Sequence, residues 1–149
     1  MEVSGQKILV WGAAKSGIAA ARFLADRGAV VALHDRKPLA DWPAEALALK
    51  EIGVGFVDGE APSWLLDQVA LVIMSPGVPS TAIPARYADR AGAEVIGEVE
   101  LAARFMRGRI VAITGSNGKT TTTSLVGQLL ADGGIPTQVG GNIGTALIS

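Results

Sequence analysis

The stretch Lys7-Ile-Leu-Val-Trp-Gly-Ala-Ala-Lys-Ser-Gly17-Ile-Ala-Ala-Ala-Arg-Phe-Leu-Ala25 reads as a strand, a glycine-bounded turn and a helix. An apolar run over Lys7–Trp11 suits a strand buried on both faces, and the small residues of Ile18–Ala25 suit a helix lying close against a sheet. The same order recurs along the chain. Strands are predicted at Lys7–Trp11, Val30–His34, Val54–Val57, Ala70–Met74, Glu94–Ile96, Ile110–Thr114 and Thr137–Val139. Helices are predicted near Gly17–Arg27, Pro43–Ile52, Pro62–Gln68, Ile83–Ala91, Glu98–Met106 and Lys119–Asp132, the third being weak. Strands alternating with helices imply an α/β fold with a largely parallel sheet.

Composition removes several function classes. Apolar residues make up 49% of the 149 residues, enough for a sizeable core. The longest apolar run, Val69 to Met74, is far short of the roughly 20 residues of a spanning helix, so no membrane is expected. The start Met1-Glu2-Val3-Ser4 lacks a basic leader, and a cytoplasmic location is the simplest expectation. The absence of cysteine rules out disulfides, thiolate metal sites and cysteine nucleophiles. A net charge of −1 with no basic block makes nucleic acid an unexpected partner. The single histidine, His34, cannot build a metal cluster and is expected to be partly exposed at a strand end.

The turn Gly12-Ala-Ala-Lys-Ser-Gly17 follows the dinucleotide fingerprint G-x-G-x-x-G, except that Ala14 stands where the middle glycine lets a pyrophosphate approach. That Cβ argues against an ordinary NAD site. Asp35 ends the second strand where an acid would meet a ribose hydroxyl, and Arg36 and Lys37 follow it. Lys15, Ser16, Asp35, Arg36 and Lys37 therefore gather at the carboxyl ends of the first two strands, the edge where open α/β sheets bind ligands. Ser75-Pro-Gly-Val-Pro79 faces the same edge, with Gly77 permitting close approach of a ligand. The alternatives are a tight helix-to-sheet turn and a rigid crossover loop.

The second nucleotide signal is sharper. In Ile110-Val-Ala-Ile-Thr-Gly-Ser-Asn-Gly-Lys-Thr-Thr-Thr-Thr-Ser124 a predicted strand runs through a glycine turn into a helix. Gly115, Ser116, Asn117 and Gly118 can turn backbone amides onto phosphates, Lys119 adds a cation, and the Thr120 hydroxyl can ligate Mg²⁺, with Thr121 beside it. The usual spacing G-x-x-x-x-G-K-S/T would put glycine at position 113, where Ile113 stands, so the loop is a tighter variant.

The wording Thr-Gly-Ser-Asn-Gly-Lys-Thr-Thr, followed some twenty residues later by Gly140-Gly-Asn-Ile-Gly144, resembles the Mur ligases of bacterial cell-wall synthesis. Within them the order and spacing of the first turn, Ser75-Pro-Gly-Val-Pro79 and Gly97-Glu-Val-Glu-Leu101 are most similar to the MurD branch. The resemblance implies a Rossmann-like domain over residues 1–95, binding UDP-N-acetylmuramoyl-L-alanine through Lys15, Ser16, Asp35, Arg36, Lys37 and Gly77. It implies the beginning of a P-loop domain over residues 96–149, binding ATP and Mg²⁺ through Gly115 to Thr121, with Lys119 catalytic and Asn142 near the muramoyl group. The implied reaction phosphorylates the substrate carboxylate and lets the amine of D-glutamate displace the phosphate. In that family further Mg²⁺ ligands, a catalytic lysine and an amino-acid domain lie downstream of the positions matched here, so the chain alone is expected to be inactive; apolar faces of Ile110–Ile113 and Leu125–Leu130 left uncovered predict either self-association through that half or local mobility. A different class remains open, a non-catalytic nucleotide-binding module. A third reading keeps the family and changes the added amino acid, and Gly140-Gly-Asn-Ile-Gly144 disfavours it.

Overall fold

The computed structural model describes residues 1–79, 81, 92–141 and 146–148. The predicted helix at 83–91 and Asn142 lie outside the described residues. Five parallel strands form one sheet in the order β3-β2-β1-β4-β5. They are β1 (Lys7–Trp11), β2 (Val30–Asp35), β3 (Gly55–Asp58), β4 (Leu71–Met74) and β5 (Glu94–Gly97). Helices α1 (Lys15–Ala25) and α2 (Ala44–Leu47) are followed by α3 (Glu98–Phe105) and α4 (Lys119–Asp132), with short 3₁₀ turns at Leu39–Asp41, Ala48–Ile52 and Ser63–Leu66.

The central strand shows why the sheet forms. Along β1, Ile8 and Val10 join the core on the α1 face, while Leu9 and Trp11 join the core on the opposite face. Successive side chains alternate across a strand, so a wholly apolar run suits a strand covered on both faces. Helix α1 buries Gly17, Ala20, Ala21 and Leu24, one stripe at helical spacing. Its small residues let it sit close to β1 and β2, as the sequence suggests. The turn that follows α1 passes through Gly28, which has φ +79°, and the Ala29 amide closes back on the Leu24 carbonyl. Helix α3 packs Leu101 and Ala102 into the same core, and Phe105 meets Phe23 of α1 edge-on at 4.9 Å between ring centroids.

His34 departs from expectation, because it is fully buried rather than partly exposed. It faces the side of the sheet away from α1 and meets the Trp11 ring edge-on at 4.4 Å. Its Nδ1–H donates to the Val57 carbonyl at 2.9 Å, which leaves Nε2 as the bare nitrogen, and Nε2 has no partner among the described residues. Burial pushes the His34 pKa below its ordinary 6.5, and Arg36 adds to the fall, against the Val57 bond and the carboxylates of Asp35 and Asp58.

The second half is built differently. Helix α4 forms as predicted, whereas the predicted strands Ile110–Thr114 and Thr137–Val139 do not. A strand needs a neighbour for its amides and carbonyls, and among the described residues none pairs with either segment. Ile110, Val111, Leu125, Leu129 and Ile135 are correspondingly exposed. Within this half Val139 packs on Gly127, where a Cβ would lie 2.4 Å from its Cγ2, and Ile148 reaches back into the core of the first half. Among the described residues no helix is long and apolar enough to cross a membrane.

The buried ring of His34 makes stability depend on pH. Its folded pKa lies below the unfolded one, so the unfolded chain binds more protons; the contribution is present above 6.5 and is lost as pH falls through the folded value. Urea unfolding should therefore show a stability loss as pH falls below 6.5 that shrinks in His34→Phe. An identical loss in that variant would remove His34 as the cause.

Candidate functional site

At the carboxyl ends of β1 and β2 the glycine turn is held from three sides. The Gly12 amide donates to the His34 carbonyl at 2.7 Å, in a conformation with φ +109° that favours glycine. A Cβ on Gly17 would stand 1.8 Å from the Gly12 carbonyl oxygen and 2.6 Å from Ser75 Oγ, so α1 can begin this close to β1 only with glycine at position 17. Ser75, itself buried, donates its hydroxyl to the Gly12 carbonyl at 3.1 Å and its amide to the Trp11 carbonyl at 3.0 Å. The loop Ser75–Pro79 thereby joins the same edge as the turn, as its place after the fourth strand predicts.

Asp35 is the third fastening. One carboxylate oxygen accepts the Ala13 amide at 2.8 Å and the other accepts the Lys37 amide at 3.0 Å. The carboxylate thus ties the glycine turn to the loop after β2, a role that its expected contact with a ribose did not anticipate. Trp42 then donates its indole N–H to the Lys37 carbonyl at 2.9 Å, and Asp58 accepts the Leu39 amide at 2.9 Å. These bonds fix the loop that carries Arg36 and Lys37.

The predicted residues of the first site sit around this frame. Lys15 opens α1, Ser16 follows half-buried, and Arg36, Lys37 and Gly77 are exposed. Ala14 precedes the helix with no side-chain cap, so the first amides of α1 are available to an anion. A cleft of about 130 Å³ opens here, lined in part by Ala13, Ala14, Asp35, Lys37 and Trp42. It is smaller than the few hundred Å³ of a whole small-molecule pocket and suits one portion of a ligand, such as a phosphate or a sugar. A larger cavity of about 650 Å³ lies on the outer face of α1; its walls are mainly apolar, and it touches the site through Lys15 and through Pro43, which also lines the smaller cleft.

The second loop is a glycine-bounded turn that runs into α4. Gly115 has φ +152°, and Gly118, with φ +74°, caps the start of α4. Lys119 Nζ donates back to the carbonyls of Gly115 and Ser116. The Thr122 amide donates to the Gly118 carbonyl at 2.9 Å, and the Thr123 hydroxyl to the Lys119 carbonyl at 2.7 Å. Ser116, Asn117, Thr120 and Thr121 are exposed alongside. Among the described residues no cluster of three or more histidine or acidic side chains could hold a metal ion. Thr120 lies exposed in the first turn of α4 with its neighbours Thr121 and Thr122.

Sequence reasoning did not single out Ser75, Trp42 or the fastening role of Asp35. Each works through a bond to a distant backbone group. A buried-type serine placed directly after an apolar strand and before Pro-Gly was the available signal for Ser75.

Residues 6–97 match the family of Mur ligase MurD-like N-terminal domains. Over 97% of its length the chain is 50% identical to a UDP-N-acetylmuramoylalanine--D-glutamate ligase from Solibacter usitatus, covering 31% of that protein. It is also 50% identical, again over 97% of its length, to a ligase of the same name from Pelotomaculum thermopropionicum, covering 32% of it. The chain thus spans about a third of the length of the curated relatives it matches. Among solved structures, the murein peptide ligase of Psychrobacter arcticus overlays on 87% of the chain with a TM-score of 0.59 at 20% identity, covering 27% of that chain. The UDP-N-acetylmuramate:L-alanyl-gamma-D-glutamyl-meso-diaminopimelate ligase of Neisseria meningitides overlays on 96% with a TM-score of 0.58 at 18% identity, covering 46% of that chain. These two overlays speak for the fold.

The packing around the turn separates two substitutions. Gly17→Ala drives a methyl into the Gly12 carbonyl and should cost about 3 kcal/mol or more in urea unfolding. Ser75→Ala removes one buried hydroxyl bond and should cost about 1 kcal/mol. Equal losses would mean that Gly17 is not in contact with the Gly12 carbonyl.

Proposed function

Because this chain belongs to the MurD-like family of Mur ligases, we propose that it is the substrate-holding part of an ATP-dependent carboxylate–amine ligase. The reaction is the addition of D-glutamate to UDP-N-acetylmuramoyl-L-alanine during peptidoglycan precursor synthesis, in the cytoplasm. The observation that carries this reading is the turn fastened by Gly17, Ser75 and Asp35, with Lys15 opening an uncapped helix and Lys37 lining the cleft beside Ala14.

A Cβ at Ala14 crowds the route that a dinucleotide pyrophosphate takes, while three cations at the edge suit the diphosphate of a UDP-sugar. In this reading Lys15, Ser16, Arg36 and Lys37 meet the uridine diphosphate, Gly77 lets the ligand run close to the backbone, and Asn142 meets the muramoyl portion. Asp35 contributes by holding the turn, and its remaining lone pairs face the ribose. The organisation proposed is a UDP-sugar domain over residues 1–95 and the beginning of an ATP domain over residues 96–149.

The chemistry asks for positioning and charge neutralisation. A carboxylate is a poor electrophile until a phosphoryl group gives it a leaving group, and both reactants are anions. The amides of Gly115 to Gly118 cradle the triphosphate. Lys119 exchanges its bonds to the Gly115 and Ser116 carbonyls for phosphate oxygens, and Thr120 and Thr121 stand at the helix start beside them. Mg²⁺, arriving with ATP, supplies charge neutralisation at the phosphates, with Thr120 as its protein ligand in this chain. The acyl phosphate is then attacked by the amine of D-glutamate, and an amide and inorganic phosphate result.

Calorimetry tests the first site. UDP-N-acetylmuramoyl-L-alanine and UDP should bind more tightly than NADH, and Arg36→Ala should weaken the uridine ligands by roughly 1–3 kcal/mol. Tighter binding of NADH would contradict the proposal and favour a dinucleotide-binding module.

In the complete enzyme, Lys119→Ala should abolish turnover while leaving UDP-sugar affinity nearly intact. The lysine acts on charge that shifts during phosphoryl transfer, so the loss of rate should exceed the loss of ATP affinity. Near-normal turnover in that variant would remove Lys119 from the phosphate site.

A further inference from the structure

Glu98 is a buried carboxylate that the proposed chemistry does not use. It is 3% exposed and opens α3 directly after Gly97. Withdrawing a carboxylate from water is costly unless hydrogen bonds and charge compensate it. Among the described residues Glu98 has no ion-pair partner; the helix start beside it and one hydrogen bond take that place. The bond is long-range: Oε1 accepts the backbone amide of Ile148 at 3.0 Å, fifty residues away in the chain.

Ile148 is itself buried, in the same core as Leu101 and Ala102 of α3, and Ala146 and Leu147 pack against that core. Leu147 in turn backs Gly140, where a Cβ would stand 2.9 Å from its Cδ1. The place of attachment matters. Gly97, the residue before Glu98, pairs with Met74, and Met74 directly precedes Ser75. The bond to Ile148 is therefore made one strand away from the serine that fastens the glycine turn. Ile148 also forms part of the wall of the cavity on the outer face of α1, beside Ile18 and Phe23.

We propose that Glu98 is a positioning residue, which fastens the stretch of chain around Ile148 to the sheet edge of the nucleotide site and so sets how the part of the chain beyond α3 meets the distal part of the ligand. This rests on the reading of the first half as a UDP-sugar site. A ligand confined to the first half, UDP, is indifferent to the fastening. A ligand long enough to reach the second half, UDP-N-acetylmuramoyl-L-alanine, depends on it.

The test compares the wild-type chain with Glu98→Ala and Glu98→Gln by amide hydrogen exchange at Ile148 and by calorimetry with both ligands. In Glu98→Ala the Ile148 amide should exchange about tenfold faster or more. Glutamine keeps an acceptor oxygen, so Glu98→Gln should stay within about threefold of wild type. UDP should bind all three alike, while the longer ligand should bind about tenfold more weakly to Glu98→Ala and recover in Glu98→Gln. A folded Glu98→Ala with wild-type exchange at Ile148 would overturn the proposal, as would equal loss of both ligands. Should Glu98→Ala fail to fold, Glu98→Gln decides: a protected Ile148 amide supports the fastening, and a freely exchanging one overturns it. Failure of the wild-type chain to bind either ligand would count against the UDP-sugar reading alone, and the exchange rates would still judge the bond.

Discussion

The approach of Gly17 to the carbonyl of Gly12 is the constraint on which the carboxyl edge of the sheet depends. Helix α1 starts within a few residues of the end of β1, and only a residue without a Cβ fits where its first turn passes that carbonyl. The contact sets the direction in which the first amides of α1 point. Ser75 then seals the same carbonyl from β4, and Asp35 binds the turn to the loop after β2. Three strands are locked together at one point by bonds to backbone groups. The cations Lys15, Arg36 and Lys37 add charge to a frame that exists without them.

The two halves of the chain hold their shape by different means. In the first, every strand has a neighbour and the two faces of the sheet are packed, so conformation follows from burial. In the second, the loop before α4 is formed by local bonds: Gly118 supplies the left-handed turn, and Lys119 and Thr123 tie the first turn of α4 to carbonyls within a few residues. Local geometry of this kind needs no sheet, which explains why the loop is formed although Ile110–Thr114 has no strand partner. Apolar side chains such as Val111 and Leu129 remain exposed for the same reason.

What was legible in the sequence divides along that line. Apolar runs and glycine turns located β1 to β5 to within a residue or so, because the covered central strands β1 and β4 write themselves as continuous apolar segments and the edge strands are bounded by turn residues. The same signal at Ile110–Thr114 and Thr137–Val139 misled, since strand propensity without a partner leaves amides to water. His34 looked peripheral because a strand end usually is, yet Trp11 beside it and the opposite face of the sheet enclose it. The glycines of both turns and the cations were visible as motifs. Asp35, Ser75 and Glu98 were not visible in the roles they play, because each acts on a backbone group 22, 63 or 50 residues away. Spacing along a chain carries no trace of such bonds until the fold has closed them.

Chemical-shift mapping of the isotopically labelled chain with UDP-N-acetylmuramoyl-L-alanine tests most directly whether the fastened turn is the nucleotide site. The largest shifts should fall on the amides of Ala14 to Gly17, of Arg36 and Lys37, and of Ser75 to Gly77, three segments that meet only in the folded edge. Shifts confined to the phosphate loop at Gly115 to Thr121, with the Gly12–Gly17 turn unmoved, would contradict that assignment.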